Sequence, residues 1–333
     1  MNGLFVHGIP AVVPEAEAAL CRSRLLLAVD ALRKATGVEE VDIRITKAVI
    51  DSASSHSSRL EEWEELSVSD RAERYTPTSP LWGMDRLIAP GGLLDELDAV
   101  VRMAELEDLV FSTWGMREIE PFPRSVLNFH GPPGTGKTLA AHAVASSLGR
   151  NIIAASYADI ESKYHGDGPK NVEALFFAAQ RDNAVLFIDE ADSLLSKRLT
   201  NVTQGSEQAI NSMRSQLLIC LERHRGVVIF ATNLVENYDS AFETRVRNIR
   251  FSLPDKEVRA AIWRVHLPKQ LPLADDVDIP DLAERSDGFC GREIKQAVLD
   301  AVFRAARRGS VVCREDFVGA VERIAANSRK KQL

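Results

Sequence analysis

The middle of the chain carries its apolar residues in short, nearly unbroken runs. Val126-Leu127-Asn128-Phe129, Asn151-Ile152-Ile153-Ala154-Ala155, Ala184-Val185-Leu186-Phe187-Ile188, Val227-Val228-Ile229-Phe230-Ala231 and Ile249-Arg250-Phe251 each read as a strand. A strand with one wet face would alternate; continuous apolar runs suit parallel strands covered on both faces. Helical patterns separate them, such as Leu139 to Leu148, which ends at Gly149, a residue suited to a helix C-cap. Alternation of this kind predicts an α/β domain over 79–255, a parallel sheet with helices on both faces. Over 256–333 the pattern becomes helical throughout. Ile294, Ala297, Val298, Ala301, Val302 and Ala305 recur at spacings of three and four and define one apolar face, and a second helix is predicted from Glu315 to Ala326. This predicts a small helical domain behind the α/β domain.

Residues 1–78 form a third region. A helix is predicted from Glu15 to Ala35 and a strand at Val41-Asp42-Ile43-Arg44-Ile45, followed by a Ser-rich polar stretch (Asp51 to Arg59) and an acidic, Trp-containing segment (Leu60 to Arg74). The expectation is a short α/β or mostly helical N-terminal region. Its residues leave open an adaptor, a substrate-docking domain or a linker.

Chemistry concentrates at the end of the first strand, in Gly131-Pro132-Pro133-Gly134-Thr135-Gly136-Lys137-Thr138. The run matches the P-loop pattern and lies between a strand and a helix, where that pattern works. Glycines let the backbone curl so that successive N–H groups converge on phosphate oxygens, and the following helix aims the positive end of its dipole at the same place. Lys137 supplies charge for the β- and γ-phosphates, and the Thr138 hydroxyl can ligate Mg²⁺. ATP and Mg²⁺ are the expected cofactors.

Val185-Leu186-Phe187-Ile188-Asp189-Glu190 is an apolar strand that ends in two carboxylates, a Walker B pattern. Carboxylates after a strand are commonly solvated turn residues. With this P-loop upstream, Asp189 reads as the group holding the Mg²⁺ shell and Glu190 as the general base for the attacking water. Asp189 would lie near the phosphate loop if the two strands are neighbours. The next strand ends in Thr232-Asn233, and Asn233 is placed to orient that water.

Composition narrows the classes. The formal net charge is -7, without a long basic run, which disfavours a dedicated duplex-DNA binder. The Ser328-Arg329-Lys330-Lys331 tail reads as a solvated terminus. Cys21, Cys220, Cys290 and Cys313 form no Cys-x-x-Cys pair and have no His at zinc-finger spacing, so they read as reduced packing residues of an intracellular protein. The sequence shows neither an 18-residue apolar run nor a basic leader ahead of Pro10 and Pro14, so the expected location is cytoplasmic, without membrane partners.

The P-loop run, Phe187-Ile188-Asp189-Glu190-Ala191-Asp192 and Ala231-Thr232-Asn233 together resemble the AAA+ ATPases, and among them the protein-remodelling branch. The resemblance covers Trp82 to Asn327. It implies a Rossmann-like α/β domain with a helical lid, and a ring, commonly a homo-hexamer, with ATP between subunits. It also implies an arginine supplied by a neighbour to stabilise charge on the transferred phosphoryl group. In Asp239-Ser240-Ala241-Phe242-Glu243-Thr244-Arg245-Val246-Arg247, Arg245 is the first candidate and Arg247 the second; the segment is shorter than the two-arginine segment of many relatives. Gly288-Phe289-Cys290-Gly291-Arg292-Glu293-Ile294 resembles the second sensor region, where many relatives have Ala at the place of Arg292. Leu87 and Ile88 lie where the family packs adenine. Tyr164 and His165, in Glu161 to Gly168, match the substrate-gripping pore loop, although His165 replaces the usual aliphatic residue; Ser196 to Gln208 matches a second pore loop. The resemblance implies an ATP-driven protein unfoldase or remodeller with a protein substrate, and an adaptor at the N-terminal region is one of the roles left open for it. A nucleic-acid-acting motor or loader and a nucleotide-driven assembly switch stay open as alternatives. The run from Asn233 to Arg245 also resembles the pachytene-checkpoint type, which implies HORMA-domain substrates. The chain has no His-Glu-x-x-His protease motif.

Overall fold

Each of the five apolar runs is a strand: β1 (Ser125–His130), β2 (Ile152–Ser156), β3 (Val185–Asp189), β4 (Val227–Thr232) and β5 (Arg247–Arg250). All five pair in parallel, in the order β2-β3-β4-β1-β5. The computed structural model describes residues 67–120, 125–161, 167–196, 205–233, 239–243 and 245–330. These belong to one compact unit, Leu60–Leu333. The helix expected from Glu15, the strand at Val41, Cys21 and most of the segment after Ser196 lie outside the described residues.

Helices alternate with the strands. They are α1 (Val68–Ala72), α2 (Gly91–Glu105), α3 (Lys137–Ser147), α4 (Tyr157–Ile160), α5 (Asp167–Arg181), α6 (Asp192–Leu195), α7 (Gly205–Arg223) and α8 (Ser240–Glu243). Successive strand residues point to opposite faces, and the core divides accordingly. Val126, Ile153, Leu186, Ile188, Val228 and Phe230 pack with α5 and α7. Leu127, Phe129, Ile152, Phe187, Ile229 and Phe251 pack with α2 and α3 on the other face. With both faces covered, β4 is buried along its whole length, which accounts for its unbroken apolar run.

Residues 67–78, read from the sequence as part of the N-terminal region, pack on this domain. Ala72 and Tyr75 join the α5–α7 core, and Thr78 exchanges two backbone hydrogen bonds of 2.9 Å with Ile152 on edge strand β2. Arg71 is buried and pairs with Asp167 at 2.8 Å while donating to Asn171 Oδ1 at 3.1 Å. Asn171 in turn donates to the Ile160 carbonyl at 3.0 Å. The end of α4 and the start of α5 are thereby tied together from both sides.

The last four helices form the second core: α9 (Lys256–His266), α10 (Ile279–Arg285), α11 (Gly291–Arg308) and α12 (Arg314–Lys330). Ile294, Ala297, Val298, Ala301 and Ala305 on α11 pack against Trp263 of α9 and Phe317 of α12, with Val302 at the margin. Trp263 also donates to the Ser286 hydroxyl at 3.1 Å, so its polar edge is satisfied inside an apolar cluster. No helix among the described residues is long and apolar enough to cross a membrane.

His224, between α7 and β4, is buried edge-on to Phe176, with ring centroids 5.2 Å apart. Neither of its ring nitrogens has a hydrogen-bond partner among the described residues, and burial lowers its pKa to about 4. The unfolded chain takes up this proton near pH 6.5, whereas the folded one resists it until about pH 4. Stability should therefore be complete above pH 6.5 and should fall by about 3 kcal/mol as the pH drops to 4. In Glu-buffered or acetate melts, His224→Phe is expected to flatten that part of the stability–pH curve; an unchanged slope would count against the assignment.

Candidate functional site

The P-loop leaves β1 at Gly131, whose φ of 142° is open to glycine. A β-carbon there would lie 2.0 Å from the Phe251 carbonyl oxygen. The loop start is gripped from both sides, because Gly131 N donates to Thr232 O at 3.3 Å and Phe251 N donates to His130 O at 2.8 Å. Gly134 (φ 79°) and Gly136 (φ 101°) complete the curl, and Gly136 caps α3, so the N-terminus of that helix faces the cradle. Thr135 stiffens the turn by donating to Pro132 O at 2.8 Å.

Lys137 is buried at the centre. Its Nζ donates to Gly131 O at 2.6 Å, to Pro132 O at 2.9 Å and to Asn233 Oδ1 at 2.9 Å. Desolvation lowers its pKa, and the nearby Asp189 and Asp192 oppose that shift. The ammonium thus spans the P-loop and the tip of β4.

Asp189 ends β3, and its Oδ2 accepts from Thr138 Oγ1 at 3.3 Å. The sequence reading made their proximity conditional on neighbouring strands, but β4 lies between β1 and β3. The contact forms because α3 starts across the end of β4. It brings together two hard oxygen donors, a set suited to Mg²⁺, which normally keeps waters and substrate phosphates in its remaining positions. Glu190 follows with φ 53°, a left-handed conformation that a glutamate adopts at a cost of about 1 kcal/mol. Its N–H donates to Asp189 Oδ1 at 2.8 Å. Its carboxylate is exposed and makes no hydrogen bond or ion pair among the described residues, as a base facing a ligand requires.

Asp192 carries a role that the sequence reading left unassigned. Its Oδ1 accepts from Asn233 N at 2.9 Å and from the Thr232 hydroxyl, while Ala191 N bonds Ala231 O at 2.9 Å. Asp192 thus fixes the β4 tip, and Asn233 with it, relative to the acidic pair. The signal was present in the run Asp189-Glu190-Ala191-Asp192, but spacing alone does not show which strand the third carboxylate grips.

The lid meets the P-loop directly. A β-carbon on Gly134 would lie 2.6 Å from Cys290 Sγ and 3.0 Å from Arg292 Cβ, and Arg292 N donates to Gly134 O at 3.4 Å. The exposed Arg292 guanidinium is close enough for its charge to lower the Lys137 pKa further. On the other flank, residues 78–90 cross α3. Leu81 N donates to His142 Nδ1 at 3.3 Å and Trp82 packs edge-on to that ring at 5.1 Å. Burial lowers the His142 pKa, which keeps the accepting nitrogen unprotonated. This strap sets Leu87 beside Gly136 and Ile88 against the lid core, an apolar shelf between the two domains next to the phosphate cradle.

Arg245 and Arg247 lie elsewhere. Arg247 pairs in register with Leu127, four residues ahead of Gly131, or about 13 Å along the strand. Arg245 is bound to Glu222 at the end of α7, at 2.7 Å. Both sit toward the strand starts, away from their own P-loop. Arg247 is exposed, touching Met103 Sδ at 3.7 Å. Tyr164 and His165 lie outside the described residues.

A family model described as "ATPase family associated with various cellular activities (AAA)" matches residues 127–253, and one described as "AAA+ lid domain" matches residues 276–318. The chain is 36% identical over 267 residues to the "Cell division cycle protein 48 homolog" of Archaeoglobus fulgidus, covering 73% of this chain and 36% of the relative. It is 39% identical over 192 residues to the "Katanin p60 ATPase-containing subunit A1" of Strongylocentrotus purpuratus, covering 54% and 36%. It is 36% identical over 225 residues to the "Proteasome-activating nucleotidase" of Aeropyrum pernix, covering 64% and 53%. The chain spans between about a third and a half of the length of these relatives.

Asp192→Ala should retain nucleotide binding, because Lys137 keeps Asp189 and its three hydrogen bonds, but should free the Asn233 N–H and the Thr232 hydroxyl from the carboxylate that fixes them. Loss of hydrogen bonds to a charged acceptor, about 1.5–3 kcal/mol, corresponds to a fall in ATP turnover of about 10- to 100-fold. Steady-state turnover beside a nucleotide titration separates the two effects, and wild-type turnover would remove Asp192 from the site.

Proposed function

Because the chain belongs to the AAA+ ATPases, with their α/β domain and lid in sequence, we propose that it is a Mg²⁺-dependent ATP hydrolase that assembles into a homo-oligomeric ring and remodels a protein substrate. The observation that carries the hydrolysis reading is the joint at Lys137. One buried ammonium bonds the P-loop and Asn233, Asp189 and Asp192 lie close to it, and Glu190 follows Asp189 at the end of β3.

In this reading the P-loop N–H groups, Lys137 and Arg292 hold the triphosphate. Leu87 and Ile88 hold the base. Thr138 and Asp189 would hold Mg²⁺, which when bound would neutralise charge on the triphosphate. Glu190 takes the proton of the attacking water, and Asn233 orients that water. Arg245, remote from its own P-loop, serves a neighbouring protomer's phosphate, with Arg247 as the second candidate.

Two surface features support self-assembly. Met103, Leu106, Leu109, Trp114 and Ile119 are exposed around the end of α2, among Glu105, Glu107, Asp108, Glu118 and Glu120. Leu299 and Phe303 are exposed one turn apart on α11, beside Lys295, Arg304 and Arg307. Two different exposed apolar faces on one chain suit a head-to-tail contact, the kind that closes into rings. Tyr164 and His165 are the proposed substrate grip. The acidic chain and the similarity to a proteasome-activating nucleotidase and a katanin subunit favour a protein over a nucleic-acid substrate. A HORMA-type protein is the substrate class that the Asn233–Arg245 run suggests, residues 1–78 are proposed to receive an adaptor, and the proposed location is the cytoplasm.

A Glu190→Gln trap tests this reading. Purified from its own cells with ATP and Mg²⁺, the variant is expected to retain a specific protein that ADP releases, identified by mass spectrometry. Tyr164→Ala in that background should lose the bound protein while binding ATP normally. Retained nucleic acid, or a bare ring, would replace the remodeller reading by the loader or switch reading.

A further inference from the structure

Arg245 is already held within its own chain. Its Nε and Nη2 both donate to Glu222 Oε1, at 3.2 and 2.7 Å, and its Nη1 donates to the Ala241 carbonyl at 2.8 Å. A guanidinium has five N–H donors, so three such bonds fix its plane and leave one N–H on each terminal nitrogen. The two anchors come from different elements, Glu222 from the last turn of α7 and Ala241 from α8. Arg245 N donates in addition to Phe242 O at 3.0 Å, and Phe242 is buried in the α5–α7 core. The backbone that carries the arginine is therefore as fixed as its head group.

We propose that Glu222 is a positioning residue for Arg245, presetting the guanidinium for a phosphate presented by a neighbouring protomer. This rests on the reading that Arg245 acts across a protomer boundary. Exposure decides between presetting and locking. The Arg245 side chain is 28% exposed and that of Glu222 48%, and ion pairs so open to water contribute little. That is too weak to withhold an arginine from a phosphate. It is enough to select one orientation of a long side chain that would otherwise lose rotamer freedom on engagement. The free N–H groups on Nη1 and Nη2 then form a ready pair of donors, the geometry that suits phosphate oxygens.

The test compares Glu222→Ala, Glu222→Gln, Arg245→Ala and the double variant Glu222→Ala/Arg245→Ala in assembled full-length protein. Glu222→Ala is expected to lower kcat about two- to fivefold, the range an orientation preference from so exposed a pair can supply, with the KM for ATP and the assembly state unchanged. Glu222→Gln keeps an acceptor oxygen and should recover most of kcat. The double variant should be no slower than Arg245→Ala, because Glu222 has nothing left to orient. Mixed with Glu190→Gln, whose Arg245 is intact, Glu222→Ala should regain activity; mixed with Arg245→Ala it should not. A rise in kcat for Glu222→Ala would show a lock, and an unchanged kcat or a further loss on top of Arg245→Ala would equally overturn the proposal. Wild-type turnover by Arg245→Ala is a different failure: it removes the trans-acting arginine itself, and the proposal falls with it. If Glu222→Ala does not fold, Glu222→Asp, which retracts the oxygen while keeping the charge, should show the same loss of kcat at constant KM.

Discussion

Three hydrogen bonds from one buried ammonium organise the site. Lys137 bonds two carbonyls of the loop that precedes it and the side chain at the end of β4. Those bonds and the nearby Asp189 and Asp192 oppose the cost of its desolvation, as a buried cation requires. The sheet order follows the same logic. With β4 inserted between β1 and β3, the tip bearing Asn233 lies between the phosphate loop and the acidic pair, so one cation can reach the loop, the polar tip and the field of both carboxylates.

Glycine at 134 extends this arrangement to the lid. Because no side chain occupies that position, Cys290 and Arg292 close onto the loop backbone, and the start of α11 lies over the cradle. The strap from Thr78 to Pro90 approaches from the opposite side through His142. Phosphate cradle, apolar shelf and lid are thus three surfaces of one cleft, so a movement of the lid alters the P-loop's surroundings without passing through the sheet.

The parts legible in the sequence were those with a local cause. Strands covered on both faces must be nearly apolar throughout, so β1 to β4 were readable with ends that differ by a residue; edge strand β5 is exposed at three of its four positions, and its run was the shortest of the five. The P-loop glycines were readable because a positive φ and close backbone approaches leave few other residues possible. The rest depends on long-range placement. Nothing local shows that Asp192 reaches across to Thr232, that α1 packs on α5 through Arg71, or that Glu222 captures an arginine 23 residues downstream. The position of β4 between β1 and β3 is also a matter of strand order, to which residue pattern is blind. Unassigned by pattern as well was the exposed apolar segment from Leu106 to Ile119, in which a π-helical turn (Asp108–Thr113) interrupts the regular spacing.

The ties around α4 and α5 have a mechanical meaning. The segment between Ile160 and Asp167 is short, and both of its ends are fastened: Asn171 holds the Ile160 carbonyl, and Arg71 holds Asp167. A load borne between these two ends would therefore enter α5 and α1 together and reach the edge strand β2 through Thr78. Both ends of the segment are thereby joined to the body of the α/β domain.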